Sequence, residues 1–310
     1  MKLSILIVNY NGLRFLDECF ESIQEYVECE YEIIMVDNAS IDGSVEYVKK
    51  NYPNVKLIES EENIGFSGGN NLAAKSAQGE ILLLLNNDTC LLSNLNLAFA
   101  AFDHNNKLGV LGCRLLYGDG RLQTSFGYEH TPLRIVLSWL STKNSNIFPN
   151  IFHREVLAGP EYDVSQNNVA WVSGAFLMTR REIWEELEGL DENYFMYVED
   201  VDYCKRVRNI GHFIGYIADI EVRHYEGAGK TWIGALALQR TMNSYQLFTH
   251  KFYGKLSAGF VRVGMSAVML IRAFIFWIQS ISNNSDVLKE KRIGYFNVAV
   301  ETLRRGISKG

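Results

Sequence analysis

The stretch Ile81-Leu82-Leu83-Leu84-Leu85-Asn86-Asn87-Asp88-Thr89 decides the fold. Its unbroken apolar run reads as a strand buried on both faces, the habit of parallel strands covered by helices. It stops abruptly at two amides and a carboxylate. In open α/β sheets ligands bind at the carboxyl ends of strands, and an acid placed there is suited to hold a hard divalent cation through oxygen. Such a cation can in turn hold a diphosphate.

Working outward, strand and helix signals alternate through the first half. Leu3–Val8, Ile33–Val36, Val55–Ile58, Ile81–Leu85 and Val110–Cys113 read as strands. Leu13, Leu16, Phe20, Ile23 and Val27 recur at helical spacing, and helices are expected over Ser67–Ala77 and Leu95–Phe102. Asp42 or Ser40 is expected to cap the helix carrying Val45 and Val48. Repeated βα units predict an α/β fold, a mostly parallel sheet with helices on both faces. After residue 113 the pattern changes. Gly118-Asp119-Gly120 predicts a hairpin turn, and residues 129–168 have too little periodicity to place. Trp171–Met178 reads as one strand, Glu182–Leu187 and Val198–Val207 as helices, and His212–Tyr216 and Asp219–His224 as two short strands. From about Trp232 the chain reads as helical to its end. The expected division is 1–250, itself split at 113/114, followed by a helical segment 251–310.

Composition narrows the function. The chain has 310 residues, 47% apolar and 21% charged, which suits a packed globular core. A net charge of −6 argues against nucleic acid as the main partner. Cys19, Cys29, Cys90, Cys113 and Cys204 show no zinc or redox spacing and read as buried, reduced thiols of a cytosolic protein. The apolar run at the N-terminus is too short for a signal peptide and reads as the first strand. No uninterrupted apolar stretch of membrane-spanning length is present. Charge is uneven: residues 249–310 hold ten Lys and Arg against three Asp and Glu, so the rest of the chain is acidic.

Polar groups close successive predicted strands: Asn9-Tyr10-Asn11-Gly12, Asp37-Asn38 and Asn86-Asn87-Asp88. Each alone is ordinary turn chemistry; in a parallel sheet all three fall on one edge. Between them Asn63-Ile64-Gly65-Phe66-Ser67-Gly68-Gly69-Asn70-Asn71 opens a helix with three glycines, allowing close approach to a ligand at a helix N-terminus that favours anions. It follows the third strand and lacks the lysine of a P-loop, so neither the dinucleotide nor the P-loop pattern fits. Glu199-Asp200-Val201-Asp202 places three carboxylates at a helix start, where the dipole alone would stabilise them. One could also act as a general base on a sugar hydroxyl. Glu199 and Asp202 share a helix face and Asp200 points elsewhere, so separate roles are expected. His224, closing the last predicted strand, is either a structural residue or a second ligand beside Asp88.

The ordered set Val8–Gly12, Val36–Asn38, Asn63–Asn71, Leu85–Thr89 and Glu199–Asp202 resembles family 2 glycosyltransferases over roughly residues 1–230, with the rhamnosyltransferase-like branch that builds surface polysaccharides the nearest in pattern. The resemblance implies a GT-A fold, a nucleotide-diphosphate sugar donor, a divalent cation (manganese or magnesium), inversion at the anomeric carbon and a glycan or lipid-linked acceptor. By position it implies donor contacts from Asn9, Tyr10, Asp37, Asn63, Gly65, Gly68, Asn70, Asn71 and Asn87, and metal contacts from Asp88 and His224. It implies a base at Asp200, with Glu199 the competing assignment, and an acceptor side built from Trp171, Gly174, Ala175 and Asp202. The first acid of the family's D-x-D is Asn86 here, which lowers the charge offered to a metal. dTDP-rhamnose is the expected donor; UDP-hexoses, or a sugar-nucleotide-binding module without catalysis, are the alternatives. A nucleotidyltransferase would need a basic glycine-rich loop after the first strand, which Asn9–Gly12 is not.

Leu256–Ile281 is strongly apolar but interrupted by Arg262 and Arg272. It reads as a buried core helix, as a spanning helix at a cost of about 2.5–3.5 kcal/mol per mid-membrane Arg, or as an amphipathic helix in the membrane interface. The last would make residues 255–282 a peripheral contact with the cytoplasmic face of the membrane.

Overall fold

The computed structural model describes residues 2–140, 159–225, 234–282 and 285–304. Trp232, Glu226, Gly227, Arg305 and Lys309, and the stretch 141–158 of the segment that sequence could not place, lie outside the described residues. The chain divides into two compact units: 1–128 with 155–192 and 199–228, and 129–154 with 193–198 and 229–310. The expected division falls at 250/251, where the chain turns basic. The second unit instead begins in the aperiodic stretch after residue 128.

The first unit is built on a mixed sheet. Its strands are β1 (Leu3–Asn9), β2 (Tyr31–Asp37), β3 (Lys56–Glu59), β4 (Ile81–Leu85), β5 (Thr89–Leu91), β6 (Leu108–Tyr117), β7 (Leu122–Gln123), β9 (Gln166–Val169), β11 (Phe176–Arg180) and β12 (Phe213–His224), while β8 (Phe126–Gly127) and β10 (Trp171–Val172) form a separate ribbon. The sheet order is β3-β2-β1-β4-β11-β6-β12-β5, with β7 on β6 and β9 on β12. β1 to β4 are parallel, as expected, and β11 runs antiparallel between β4 and β6. β4 is buried along its whole length, which explains its lack of alternation.

Helices α1 (Leu13–Tyr26), α2 (Ser44–Asn51), α3 (Gly65–Ala74), α4 (Asn96–His104), α6 (Arg181–Glu186) and α7 (Glu199–Asn209) also belong to this unit. Leu16, Cys19, Phe20 and Ile23 of α1 are buried at the spacing the sequence shows. α3 packs so closely on β1 that a Cβ on Gly69 would lie 2.8 Å from the Val8 side chain. The hairpin at Gly118-Asp119-Gly120 forms, with Gly120 at φ +81°.

Three expectations change. Trp171–Met178 is two strands, because the chain turns through Ser173-Gly174-Ala175. His212–Tyr216 and Asp219–His224 are one strand, β12, whose register against β6 shifts between Ile217 and Glu221. Asp42 spends its carboxylate on the Leu13 and Ser44 amides, so it serves the start of α1 as well as α2.

The second unit holds α5 (Pro132–Leu140), α8 (Ala235–Ser282) and α9 (Asp286–Arg304). α8 breaks at Gly254, where φ is +82°. α5 lies close against its second half: a Cβ on Gly264 would sit 2.8 Å from Val136, and Arg272 donates to the Trp139 carbonyl at 2.7 Å. By length and composition 235–281 is apolar enough to cross a membrane, although Arg262 and Arg272 interrupt its apolar run.

Candidate active site

The carboxyl ends of β1, β2 and β4 carry one buried amide network. Asn9 Nδ2 donates to Asp37 Oδ2 at 2.8 Å, and Asn9 Oδ1 accepts from Asn87 Nδ2 at 2.6 Å. Asp37 Oδ1 accepts the Ser40 amide at 2.8 Å. Gly12 makes the closure possible, since a Cβ there would lie 1.9 Å from Asn87 Nδ2. Tyr10 stands outward beside this network, 53% exposed.

Next to it the first turn of α3 is wired through its backbone. Asn63 Oδ1 accepts the Gly65 amide and Asn38 Nδ2 donates to the Gly65 carbonyl, both at 3.0 Å, with Gly65 at φ +77°. Asn70 donates to the Phe66 carbonyl at 3.0 Å. Asn38 Oδ1, Ser67 Oγ and Asn70 Oδ1 are buried without a hydrogen-bond partner. Buried polar groups are normally satisfied, so these three orphans, two on α3 and one from the end of β2 beside it, mark a place where a ligand's N–H and O–H groups fit. Gly68 and Gly69 have a second duty in packing, against Ile64 and Val8.

Asn71 is tied into the structure by sequence-distant partners. Its side chain holds the segment after α6, donating to the Leu190 carbonyl at 2.8 Å and accepting the Leu190 amide at 2.9 Å.

Beyond β4, His224 meets Asp88. His224 Nε2 lies 3.3 Å from Asp88 Oδ1 and 3.1 Å from Asn86 Nδ2, and Nδ1 lies 3.1 Å from Gln123 Oε1. One tautomer satisfies both amides: Nδ1–H donates to Gln123, and the Nε2 lone pair faces Asn86 and Asp88. A neutral imidazole so oriented is the form that ligates metals. Among the described residues no group of three or more His, Cys, Asp and Glu gathers as a metal site. The donor set is thus one carboxylate and one imidazole, which fits a divalent cation that takes its other ligands from a diphosphate and water. Gln123, in the short strand β7 and 4% exposed, was missed by sequence reasoning, and no motif marks it.

The Ser173–Ala175 turn ties β4 to α7. The Ala175 carbonyl accepts the Asn86 amide at 3.1 Å, and the Gly174 amide donates to Asp200 Oδ2 at 3.0 Å. A Cβ on Gly174 would lie 3.2 Å from the Phe66 ring and 3.6 Å from Asp200 Cβ, so Phe66, Gly174 and Asp200 converge. Trp171 and Ala175 are buried at 8% and 4% exposure and support this wall; Gly174 is the member that faces it.

The three acids of α7 separate as the helical geometry predicts. Asp200 is partly exposed while Glu199 and Asp202 are buried. Asp202 is not on an acceptor surface: its carboxylate takes Arg206 Nε at 2.6 Å, and the same guanidinium donates to the carbonyls of Leu187 and Gly189, both at 2.8 Å. Removing one partner of such a pair typically costs about 3–5 kcal/mol. Arg206→Ala is expected to lower unfolding free energy by about that amount in urea titration; a change under about 1 kcal/mol, the value of an exposed pair, would show the bridge to be dispensable. Burial first, then Asp200, pushes the Glu199 carboxyl well above the usual carboxylate range, and its Oε2 has no hydrogen-bond partner. Burial thus favours the protonated form of Glu199, while Asp200 is the partly exposed acid of the three and accepts the Gly174 amide. Immediately before them Tyr197 and Val198 both take positive φ, +73° and +72°. A β-branched residue there is a strained outlier, of order 1–3 kcal/mol, of the kind that clusters at active sites.

All five cysteines are free, four of them buried. Burial pushes the Cys19 and Cys204 thiols up to about 12, so neither is a nucleophile.

An open α/β sheet with an amide network, an acid–imidazole pair and a helix-borne carboxylate beyond its strand ends is the GT-A arrangement of a nucleotide-sugar transferase. The family model for glycosyl transferase family 2 matches residues 4–187, and the chain belongs to that family. The N-acetylglucosaminyl-diphospho-decaprenol L-rhamnosyltransferase of Mycobacterium tuberculosis is 25% identical over 240 residues, covering 72% of this chain and 76% of the relative. Rhamnosyltransferase WbbL of Escherichia coli is 22% identical, covering 71% and 82%. Among solved structures, Staphylococcus aureus TarS 1–349 in complex with UDP aligns with a TM-score of 0.53 at 16% identity over 98% of this chain and 91% of that one. The mannosyltransferase PcManGT of Pyrobaculum calidifontis, in complex with GDP-Man and Mn2+, aligns with a TM-score of 0.54 at 15% identity over 97% and 86%.

Proposed function

We propose that the protein is an inverting transferase that moves a sugar from a nucleotide-diphosphate donor, dTDP-rhamnose, to a hydroxyl of a lipid-linked saccharide during synthesis of a cell-surface polysaccharide. The observation that carries it is the Gly174-Ala175 dipeptide, whose amide holds Asp200 and whose carbonyl holds the Asn86 turn leading to Asp88. It joins a base to an acid–imidazole pair through two hydrogen bonds. The choice of rhamnose and of a lipid-linked acceptor draws on the relatives' names.

In this reading Asp200 takes the proton of the acceptor hydroxyl as that oxygen bonds to the anomeric carbon. The bond from that carbon to the diphosphate breaks on the opposite face, and the diphosphate leaves with the electron pair. One displacement inverts the configuration and needs no enzyme nucleophile. A manganese or magnesium ion held by Asp88 and His224 would supply neutralising charge for the diphosphate. Asn9, Asp37 and Asn87 shape the floor of the donor pocket, Tyr10 covers it, and Asn38, Ser67 and Asn70 offer their unpaired oxygens to donor groups of the nucleotide or sugar. Gln123 sets the His224 tautomer. Its replacement by Leu is expected to weaken manganese binding about 10–100-fold, measured by calorimetry on the protein alone; unchanged affinity would make the Gln123 contact incidental.

The enzyme would work at the cytoplasmic face of the membrane, with residues 255–282 as its peripheral contact. A relative named as a hexosyltransferase, Agl10 of Haloferax volcanii, is 24% identical over 254 residues and keeps a UDP-hexose donor as the second reading. Thermal unfolding with a panel of sugar nucleotides, with and without manganese, separates the two, because a specific ligand stabilises the state that binds it. Stabilisation by UDP-sugars and not by dTDP-rhamnose would replace the donor. Stabilisation without either transfer or donor hydrolysis would favour a binding module.

A further inference from the structure

Between the second half of α8 and α9, within the second unit, lies an open apolar groove. It has a volume of about 370 Å³ and is lined by Leu270, Phe274 and Trp277 from α8 and Ile293, Phe296 and Arg292 from α9. That volume falls in the range of pockets that take small organic ligands, roughly 300–1,000 Å³. Nothing in the transfer chemistry uses it.

The groove interrupts a longer apolar stripe. Leu256, Phe260, Val263, Leu270, Phe274 and Ile281 are exposed at helical spacing along α8. The opposite side of the same helix is apolar too and is buried, with Val261, Met265 and Met269 almost fully covered. A soluble helix pairs one apolar face with one polar face; this segment has two apolar faces, and only one is covered. Contiguous exposed apolar surface of this extent marks a docking site.

Charge indicates the partner. Residues 255–282 contain no Asp or Glu, and Lys255, Arg262 and Arg272 are their only charged residues. On α9, Lys289 pairs with Asp286 and Lys291 lies over Phe276, while Arg292 has no ion pair or hydrogen bond among the described residues and lines the groove. The whole chain carries −6, so this basic, apolar pair of helices differs in sign from the protein it belongs to. A surface that is hydrocarbon with acidic headgroups complements both properties.

We infer that the α8–α9 groove binds one hydrocarbon chain of an anionic phospholipid, with Arg292 taking its phosphate. The inference rests on the membrane-contact reading above and deepens it: the helices receive a lipid chain into a formed site as well as lying on the bilayer. Trp277 in the groove wall reports occupancy directly.

The test uses the full-length protein with vesicles of phosphatidylcholine alone, or mixed with phosphatidylglycerol, carrying brominated chains that quench tryptophan on contact. The expected result is binding to the anionic vesicles with quenching, and loss of most of that quenching in Trp277→Phe while binding persists. Arg292→Glu should weaken binding to anionic vesicles roughly 30-fold, the equivalent of about 1 kcal/mol for each of the two charges changed. Equal quenching in wild type and Trp277→Phe, with binding intact, would overturn the groove and leave the membrane contact standing. Absence of binding to either vesicle would overturn both. Sedimentation showing a dimer whose formation protects Trp277 from an aqueous quencher would assign the face to a second copy of the chain and overturn the lipid site.

Discussion

Asp200→Asn should lower the turnover number by about 10²–10⁴-fold, the usual contribution of general-base catalysis, while leaving donor affinity unchanged. The amide keeps an oxygen to accept the Gly174 N–H, which holds the carboxylate at 3.0 Å in the native protein, so the wall between Phe66 and α7 is preserved. What is lost is the ability to take a proton. Measuring turnover and the donor dissociation constant separates these two effects.

Glu199→Gln is the control, and its outcome has a different sign. Burial and the Asp200 charge raise the Glu199 pKa above that of the unfolded chain. Between the two values the native state holds a proton that the unfolded state has released, so stability falls as pH rises through that window. Glutamine has no such penalty. Glu199→Gln should therefore match the wild type below about pH 4, near the unfolded pKa, and exceed its stability progressively above it, with transfer retained. Loss of transfer in Glu199→Gln and retention in Asp200→Asn would exchange the two assignments.

The second large effect is expected at Asp88. Asp88 Oδ1 and His224 Nε2, 3.3 Å apart, are the two converging metal-type donors at the end of β4, and Asn86 contributes no charge. Asp88→Ala leaves a lone imidazole. Manganese affinity should fall by more than the roughly 10–100-fold that losing an outer partner of a ligand costs. Manganese should then no longer strengthen binding of the nucleoside diphosphate, so that the variant with manganese resembles the wild type with chelator. An equal gain from manganese in variant and wild type would move the cation elsewhere. The absence of the first D-x-D acid sharpens this expectation: with so few protein ligands, cation and diphosphate should bind far better together than either does alone.

Several residues that read as site chemistry in the sequence also carry architecture. Asn71 closes the glycine-rich motif, yet it is spent on the Leu190 backbone. Asp202 completes an acidic cluster, yet it neutralises Arg206. Gly69 is part of the glycine signal, yet it allows α3 to approach Val8. For Asn71 and Gly69 the partner lies far away in sequence or on another element; for Asp202 it is one turn along the same helix, and only burial and the further reach of that guanidinium to Leu187 and Gly189 fix the pairing. Residue type alone could not distinguish ligand contact from internal satisfaction. Gln123 shows the converse. It is an ordinary residue in a two-residue strand, and it acquires meaning only because β6, β7 and β12 set it beside His224.

The sequence by itself determined the parallel half of the sheet, since period, strand-end chemistry and the spacing of βα units are local properties. It also determined that Asn9, Asp37 and Asp88 share one edge, because parallel strands end together. It further implied that Glu199 and Asp202 point away from Asp200, because the helical period requires it. The tertiary structure alone decided which of these groups is paired, buried or left unsatisfied. Those outcomes depend on contacts such as Gly174 with Asp200 and Gln123 with His224, whose free energies come from burial and long-range geometry that no local pattern encodes.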